Sequence, residues 1–150
     1  LMAIIRESRI VDVPKHVVFD VISDVSSYER FLPWCSRSYV SRSADGRLVG
    51  TIQIRSGPIA QSFSSSLSVI AGEKVSMVSH DGPFRFMKGE WRVRDVPGGT
   101  RVSIEIDFQI RSPVLQRVFD PVFRSVVGKM IQAFEQRARL NHCEVRAIGQ

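Results

Sequence analysis

A chain of 150 residues has the length of one ordinary domain, which excludes separate catalytic and cofactor domains. With 43% hydrophobic and 24% charged residues it has the composition of a folded protein that needs neither disulfides nor metal to hold a core, and it contains no apolar run long enough to cross a bilayer as a helix. The net charge is +6, and of the 21 basic residues only Lys15, Lys74, Lys88 and Lys129 are lysines, so the cationic surface is one of guanidinium groups suited to phosphates of anionic lipid or RNA.

The N-terminus lacks the order of a secretory signal, and Leu1-Met2 reads as a tag remnant or a cut end. A strand is expected over residues 3–13, followed by a short helix over 14–25 with Pro14 as its first residue and Val18, Phe19, Ile22 and Val25 on one face. A second strand fits residues 36–43, with the hairpin signal Asp45-Gly46 behind it. Period-two alternation then predicts strands over 47–55, with Leu48, Ile52 and Ile54 inward, and over 61–71, with Phe63, Leu67 and Val69 inward and Ser62, Ser64, Ser66 and Ser68 outward. Shorter strands are expected at 75–80 and at 88–95, the latter turning Trp91 and Val93 inward. Pro97-Gly98-Gly99 makes a turn into the clearest strand, 101–111, where Val102, Ile104, Ile106, Phe108 and Ile110 share a face.

The last element is a helix from Pro113 to about Leu140 that places Phe119, Phe123, Val126, Met130 and Phe134 on one side. Asp120 can cap a helix whose first residue is Pro121, so a short turn, a kink and then the main helix are expected. The order strand, helix, six strands, long helix gives one α+β domain over 1–150, core about 4–140, in which a curved antiparallel sheet wraps the C-terminal helix in a helix-grip arrangement. One helix against a wide sheet leaves space, so a cavity of at least ~300 Å³ is expected between them.

Catalytic patterns are missing. His16, His80 and His142 show no readable pairing with a nucleophile, His80-Asp81 reads as a turn, and no P-loop, GxGxxG or HExxH occurs, so no enzyme is expected. Cys35 and Cys143 stand apart without CxxC spacing, which fits a reducing compartment, Cys35 being a small apolar filler. Apolar residues instead crowd two connections: Tyr28, Phe31, Leu32, Pro33 and Trp34 after the first helix, and Pro83, Phe84, Phe86 and Met87 further on. Such loops either cap the ends of the core or form a cavity mouth that dips into a lipid surface.

The string from Phe19 through Tyr28 and Phe31-Leu32-Pro33-Trp34 to Cys35 resembles the opening signature of the coenzyme Q-binding START-like family, within the polyketide cyclase/START superfamily. Asp81-Gly82-Pro83-Phe84 with Gly89-Glu90-Trp91, Ile106-Asp107-Phe108-Gln109-Ile110 before Ser112-Pro113, and Ala133-Phe134-Glu135-Gln136-Arg137-Ala138 agree with it. Glu29, where the family often has proline, Met87, where it has leucine, and Pro121 are departures. The resemblance implies the same helix-grip fold and two functions, and the wider superfamily allows a third, an enzyme of the polyketide cyclase kind, for which the chain lacks a convincing acid-base pair.

The first is non-catalytic binding of ubiquinone or a similar polyprenyl lipid as a lipid chaperone of respiratory electron transport. The protein would then work at the respiratory membrane, in the cytoplasm beside the inner membrane of a bacterium or on the matrix side of the mitochondrial inner membrane. The second is that of the ribosome-association toxins in the same family, which would engage the large ribosomal subunit and block subunit joining; DNA is not an expected partner. For the first, the candidate ligand-binding residues are Ile54, Phe63, Phe84, Trp91, Ile106 and Phe108 of the sheet region, Phe31, Leu32 and Trp34 of the loop, and Phe119, Phe123, Val126, Met130 and Phe134 of the helix. For the second, Arg85, Arg92 and Arg94 are the candidate RNA contacts, Arg92 and Arg94 sharing a strand face opposite Trp91 and Val93. No metal ligand set is expected.

Overall fold

The computed structural model describes residues 2–148, with side chains through Cys143. Strand β1 (Ala3–Val11) leads into α1 (Lys15–Ser23) and a 3-10 segment (Val25–Arg30). Six strands follow, β2 (Cys35–Arg42), β3 (Leu48–Ser56), β4 (Ile59–Ile70), β5 (Lys74–Ser79), β6 (Phe84–Val96) and β7 (Gly99–Ile110), and the long helix α2 (Pro113–Ile148) comes last. The strands form one antiparallel sheet in the order β1-β7-β6-β5-β4-β3-β2, so β2 to β7 pair with their chain neighbours, β7 returns to pair with β1, and β1 and β2 are the two edges. The curved sheet grips α2, as the order of elements predicts.

The face toward α2 follows the sequence alternation closely in β7, where Val102, Ile104, Ile106, Phe108 and Ile110 are all buried. On α2, Phe119, Phe123, Val126, Met130 and Phe134 are buried against it, joined by Val127, Ile131 and Ala138. At ~25 cal/mol per Å² of apolar surface removed from water, this seam is what fixes the helix on the sheet.

The structure corrects several expectations. Pro14 precedes α1 rather than beginning it: its backbone is extended (ψ 147°) and its carbonyl accepts the Val17 and Val18 N–H groups. Helix α2 is not restarted at Pro121. It begins at Pro113, with the Ser112 hydroxyl accepting the Leu115 N–H at 3.1 Å, and runs through Pro121. Asp120 caps nothing and instead accepts from Arg124 Nε at 2.7 Å, one turn on. Proline is tolerated there because it lies on the exposed side, where the carbonyl it leaves unpaired belongs to the solvent-facing turn of Arg117. Val69 is 44% exposed rather than inward, because β4 outruns the covered part of the face after Leu67.

The second apolar connection is not a loop. Phe84, Phe86 and Met87 belong to β6, where a register shift between Phe84 and Phe86 puts both Phe84 and Met87 inward. Phe86 turns outward onto the His80 ring, 5.6 Å away between centroids. A bulge of this kind breaks period two and hides a strand from sequence reading. The turn before it depends on Gly82, whose φ of +61° and closeness to the Ser62 carbonyl leave no room for a Cβ. Arg111 secures that turn, donating from Nε to the Gly82 carbonyl (3.2 Å) and from Nη2 to the carbonyls of His80 (3.3 Å) and Phe84 (3.2 Å).

Candidate functional site: an apolar cavity between sheet and helix

The inner faces of β3 to β7 and the middle of α2 enclose a cavity of about 70 Å³. Larger neighbours fill the room that glycines leave on this face. Gly50 of β3 stands directly across from Ser65 of β4, and a Cβ on Gly50 would come within 2.9 Å of Leu67 Cδ1. Gly89 of β6 lets Met77 lie close over the backbone, 3.1 Å from where a Cβ would be.

Eight of the sequence-derived lipid contacts line this space: Trp34, Ile54, Phe63, Trp91, Ile106, Phe123, Val126 and Met130. The remaining six stand elsewhere. Phe84, Phe108, Phe119 and Phe134 are at most 1% exposed in solid packing, and Leu32 is also buried. Phe31 is half-buried between the rings of Tyr28 (6.2 Å) and Phe134 (6.0 Å), with the Arg137 guanidinium 5.4 Å from its centre. The Phe31–Trp34 segment thus caps the end of the core, and its exposed member is Pro33 rather than a large aromatic. Trp34 is half-buried at the cavity wall, the one aromatic of that segment to reach it besides Tyr28.

Tyr28, Ser65, Met77 and Met87 also form the wall and were outside the sequence-derived set. The parity of Ser65 was available from Phe63 and Leu67 on either side; Met87 was hidden by the bulge. Tyr28 donates its hydroxyl to the Ile22 carbonyl, and burial, aided by the nearby Asp24 and Cys35, holds its phenol far above the ordinary range. It is therefore a permanent neutral donor already in use. Cys35 is buried, its thiol pushed up chiefly by desolvation, so a reactive thiolate is disfavoured at neutral pH, in keeping with a filler role.

Two of the histidines are exposed, His16 and His80, and His80 Nδ1 faces the Arg85 carbonyl at 3.3 Å. Among the described residues no three His, Cys, Asp or Glu side chains come together as a metal site. Arg85, Arg92 and Arg94 are exposed, but Arg92 is paired with Glu90, which also meets Lys74 at 3.7 Å, and Arg85 is turned to the Arg111 carbonyl. Glu105, opposite Glu90 in the register, and Asp107 share that outer face, so its charge is mixed.

Residues 11–135 match the family described as polyketide cyclase / dehydrase and lipid transport. The chain belongs to this family. Among its relatives is the ribosome association toxin RatA of Pseudomonas aeruginosa, 26% identical over 136 residues that span 90% of this chain and 94% of the toxin. The coenzyme Q-binding protein COQ10 homolog B, mitochondrial, of Xenopus laevis is 28% identical over 137 residues, covering 88% of this chain and 56% of that protein. The Zhui aromatase/cyclase of Streptomyces sp. R1128 superposes with a TM-score of 0.81 at 16% identity, over 93% of this chain and 94% of its own, a likeness of fold. The relatives in sequence thus include proteins named for coenzyme Q binding and for ribosome association, and the helix-grip fold is shared with an aromatase/cyclase. Against that frame, the 70 Å³ of free space here is a correction to the ~300 Å³ expected: side chains fill most of the room that the architecture leaves.

Proposed function

We propose that the protein binds a single apolar lipid, ubiquinone or a similar polyprenyl compound, between sheet and α2 without transforming it, and carries it at the surface of a quinone-bearing membrane. The observation behind this reading is the make-up of the cavity wall. Both tryptophans of the chain and three of its four methionines, Met77, Met87 and Met130, meet there. Methionine is unbranched and adaptable, the residue type that lets a filled space reopen around a guest. At 70 Å³ the cavity cannot hold a prenyl tail as it stands, so ligand entry requires these side chains to move aside. The Met77→Leu, Met87→Leu and Met130→Leu triple variant keeps volume and is expected to remain folded, at less than ~1.5 kcal/mol per site. Its uptake of a short-chain ubiquinone, read by quenching of Trp34 and Trp91 fluorescence, should fall about tenfold, the equivalent of ~1.4 kcal/mol. Uptake equal to that of the parent chain would contradict a methionine-gated cavity.

A ribosomal role has its own support in the names of relatives such as the Pseudomonas toxin. One surface suits it: β2, β3 and β4 contain no acidic residue, whereas Arg37 and Arg55 lie on their outer face, with the Arg37 guanidinium 5.0 Å from the exposed Tyr39 ring. Salt-sensitive co-sedimentation with the large subunit should on this reading depend on Arg37 and Arg55 rather than on the mixed-charge face of Arg92 and Arg94.

A further inference from the structure

Ser65 is out of character with its surroundings. It is only 5% exposed, it lies on the inner face of β4 between Phe63 and Leu67, and it forms part of the cavity wall. The neighbouring hydroxyls are all engaged: Thr51 Oγ1 with Ser64 Oγ at 2.7 Å, Ser79 Oγ with the Ser64 carbonyl at 2.7 Å, and Tyr28 with the Ile22 carbonyl. Among the described residues the Ser65 hydroxyl has no hydrogen-bond partner. An unpaired hydroxyl among apolar walls lowers stability unless something satisfies it, and the cavity that Ser65 borders is where that something can sit.

We infer that Ser65 is the polar anchor of the cavity, donating a hydrogen bond to the oxygen of an otherwise apolar ligand, so that the site selects carbonyl- or hydroxyl-bearing molecules over hydrocarbons of the same shape. This rests on the lipid-binding reading above and deepens it, since the ligand class becomes an apolar body with an oxygen function, as in a quinone ring. The anchor is placed by the sheet itself. Its backbone pairs with β3 in regular register, and its side chain cannot turn to the outer face without a slip of the strand. Tyr28 cannot substitute for it, because its proton is already committed to Ile22.

The test uses a matched pair of small probes, duroquinone and durene, which share a tetramethyl ring and differ in the two carbonyl oxygens. Amide shifts of residues around the cavity, followed by NMR during titration, give an affinity for each. The parent chain should prefer duroquinone, and Ser65→Ala should reduce that preference about five- to tenfold while leaving durene binding unchanged or slightly improved. Ser65→Thr, which keeps the hydroxyl, should retain the preference whatever its methyl does to the absolute affinities. An unaltered ratio in Ser65→Ala, or a parent chain that prefers durene, overturns the anchor and leaves the apolar cavity standing. If neither probe shifts the cavity amides, the lipid-binding reading falls and the anchor with it.

Discussion

Phe84→Ala should cost about 3–5 kcal/mol, the range for removing a fully buried aromatic, and lower Tm by roughly 6–20 °C. The Phe84 ring is completely buried and packs edge-on against Phe63 at 4.9 Å, Phe123 at 5.1 Å, Phe119 at 5.9 Å and Phe108 at 6.3 Å. It therefore ties β4, β6, β7 and α2 together at one point, and each of those edge-to-face contacts is lost with it. Its neighbours are themselves held by other packing and would relax only in part, so a void would open beside the existing cavity. Phe86→Ala is the control. Two residues on, across the bulge, that ring lies half-exposed against His80, and its loss should cost less than about 1 kcal/mol. Equal losses for the two would mean that the bulge is misplaced. Chemical denaturation of both variants decides this.

The Arg9→Ala, Arg139→Ala double variant should lose about 3–5 kcal/mol. Glu135 is 3% exposed on α2, with Oε1 at 3.2 Å from Arg9 Nη2 of β1 and Oε2 at 3.1 Å from Arg139 Nη2 one turn further along the helix. The Asp12 N–H approaches Oε2 at 3.4 Å. With both guanidinium groups removed the carboxylate would stay buried with only that long contact to stabilise its charge. Glu135→Gln should cost less, because it leaves behind two arginines that are half-exposed and can turn to water. The exposed pair Arg6–Glu105, at 3.4 Å, should contribute under 1 kcal/mol. Urea midpoints of the three variants give the order. A double arginine variant no weaker than Glu135→Gln would show that the carboxylate is already well hydrated.

What was legible in the sequence follows from which forces act locally. The alternation of β7 is complete because that strand is flanked on both sides and one of its faces is wholly covered, so every second residue answers to the same core. The helical stripe from Phe119 to Phe134 was readable for the same reason. Helix breaks are harder: Pro14 stands one position before the first residue of its helix, Lys15, and Pro121, which suggests a kink and a restart, lies inside a helix that does begin at Pro113 as expected. In each case a proline is compatible with more than one helical context, and tertiary packing chose among them. Phe84, Phe86 and Met87 were misread as a connection because a single extra residue inverted the period.

The cavity was foreseen from architecture and its size was not. Whether facing side chains meet or fall short depends on volumes at crossing points such as Gly50–Ser65 and Gly89–Met77, which neighbour across strands and not along the chain. The same is true of the salt link of Glu135, whose partner Arg9 lies on the opposite edge of the sequence. Tyr28 and Phe31 were seen as unusual for a loop, and packing against Phe134 accounts for both.

The central claim, that the space between sheet and α2 opens to store an apolar lipid, is tested most directly by organic extraction of the protein purified from a quinone-producing host, followed by mass spectrometry. The account predicts a prenyl quinone or a closely similar lipid at near one molecule per chain, falling sharply in the triple methionine variant purified in parallel. Extracts that contain no lipid above background from the parent chain, or the same trace from parent and variant, would contradict it.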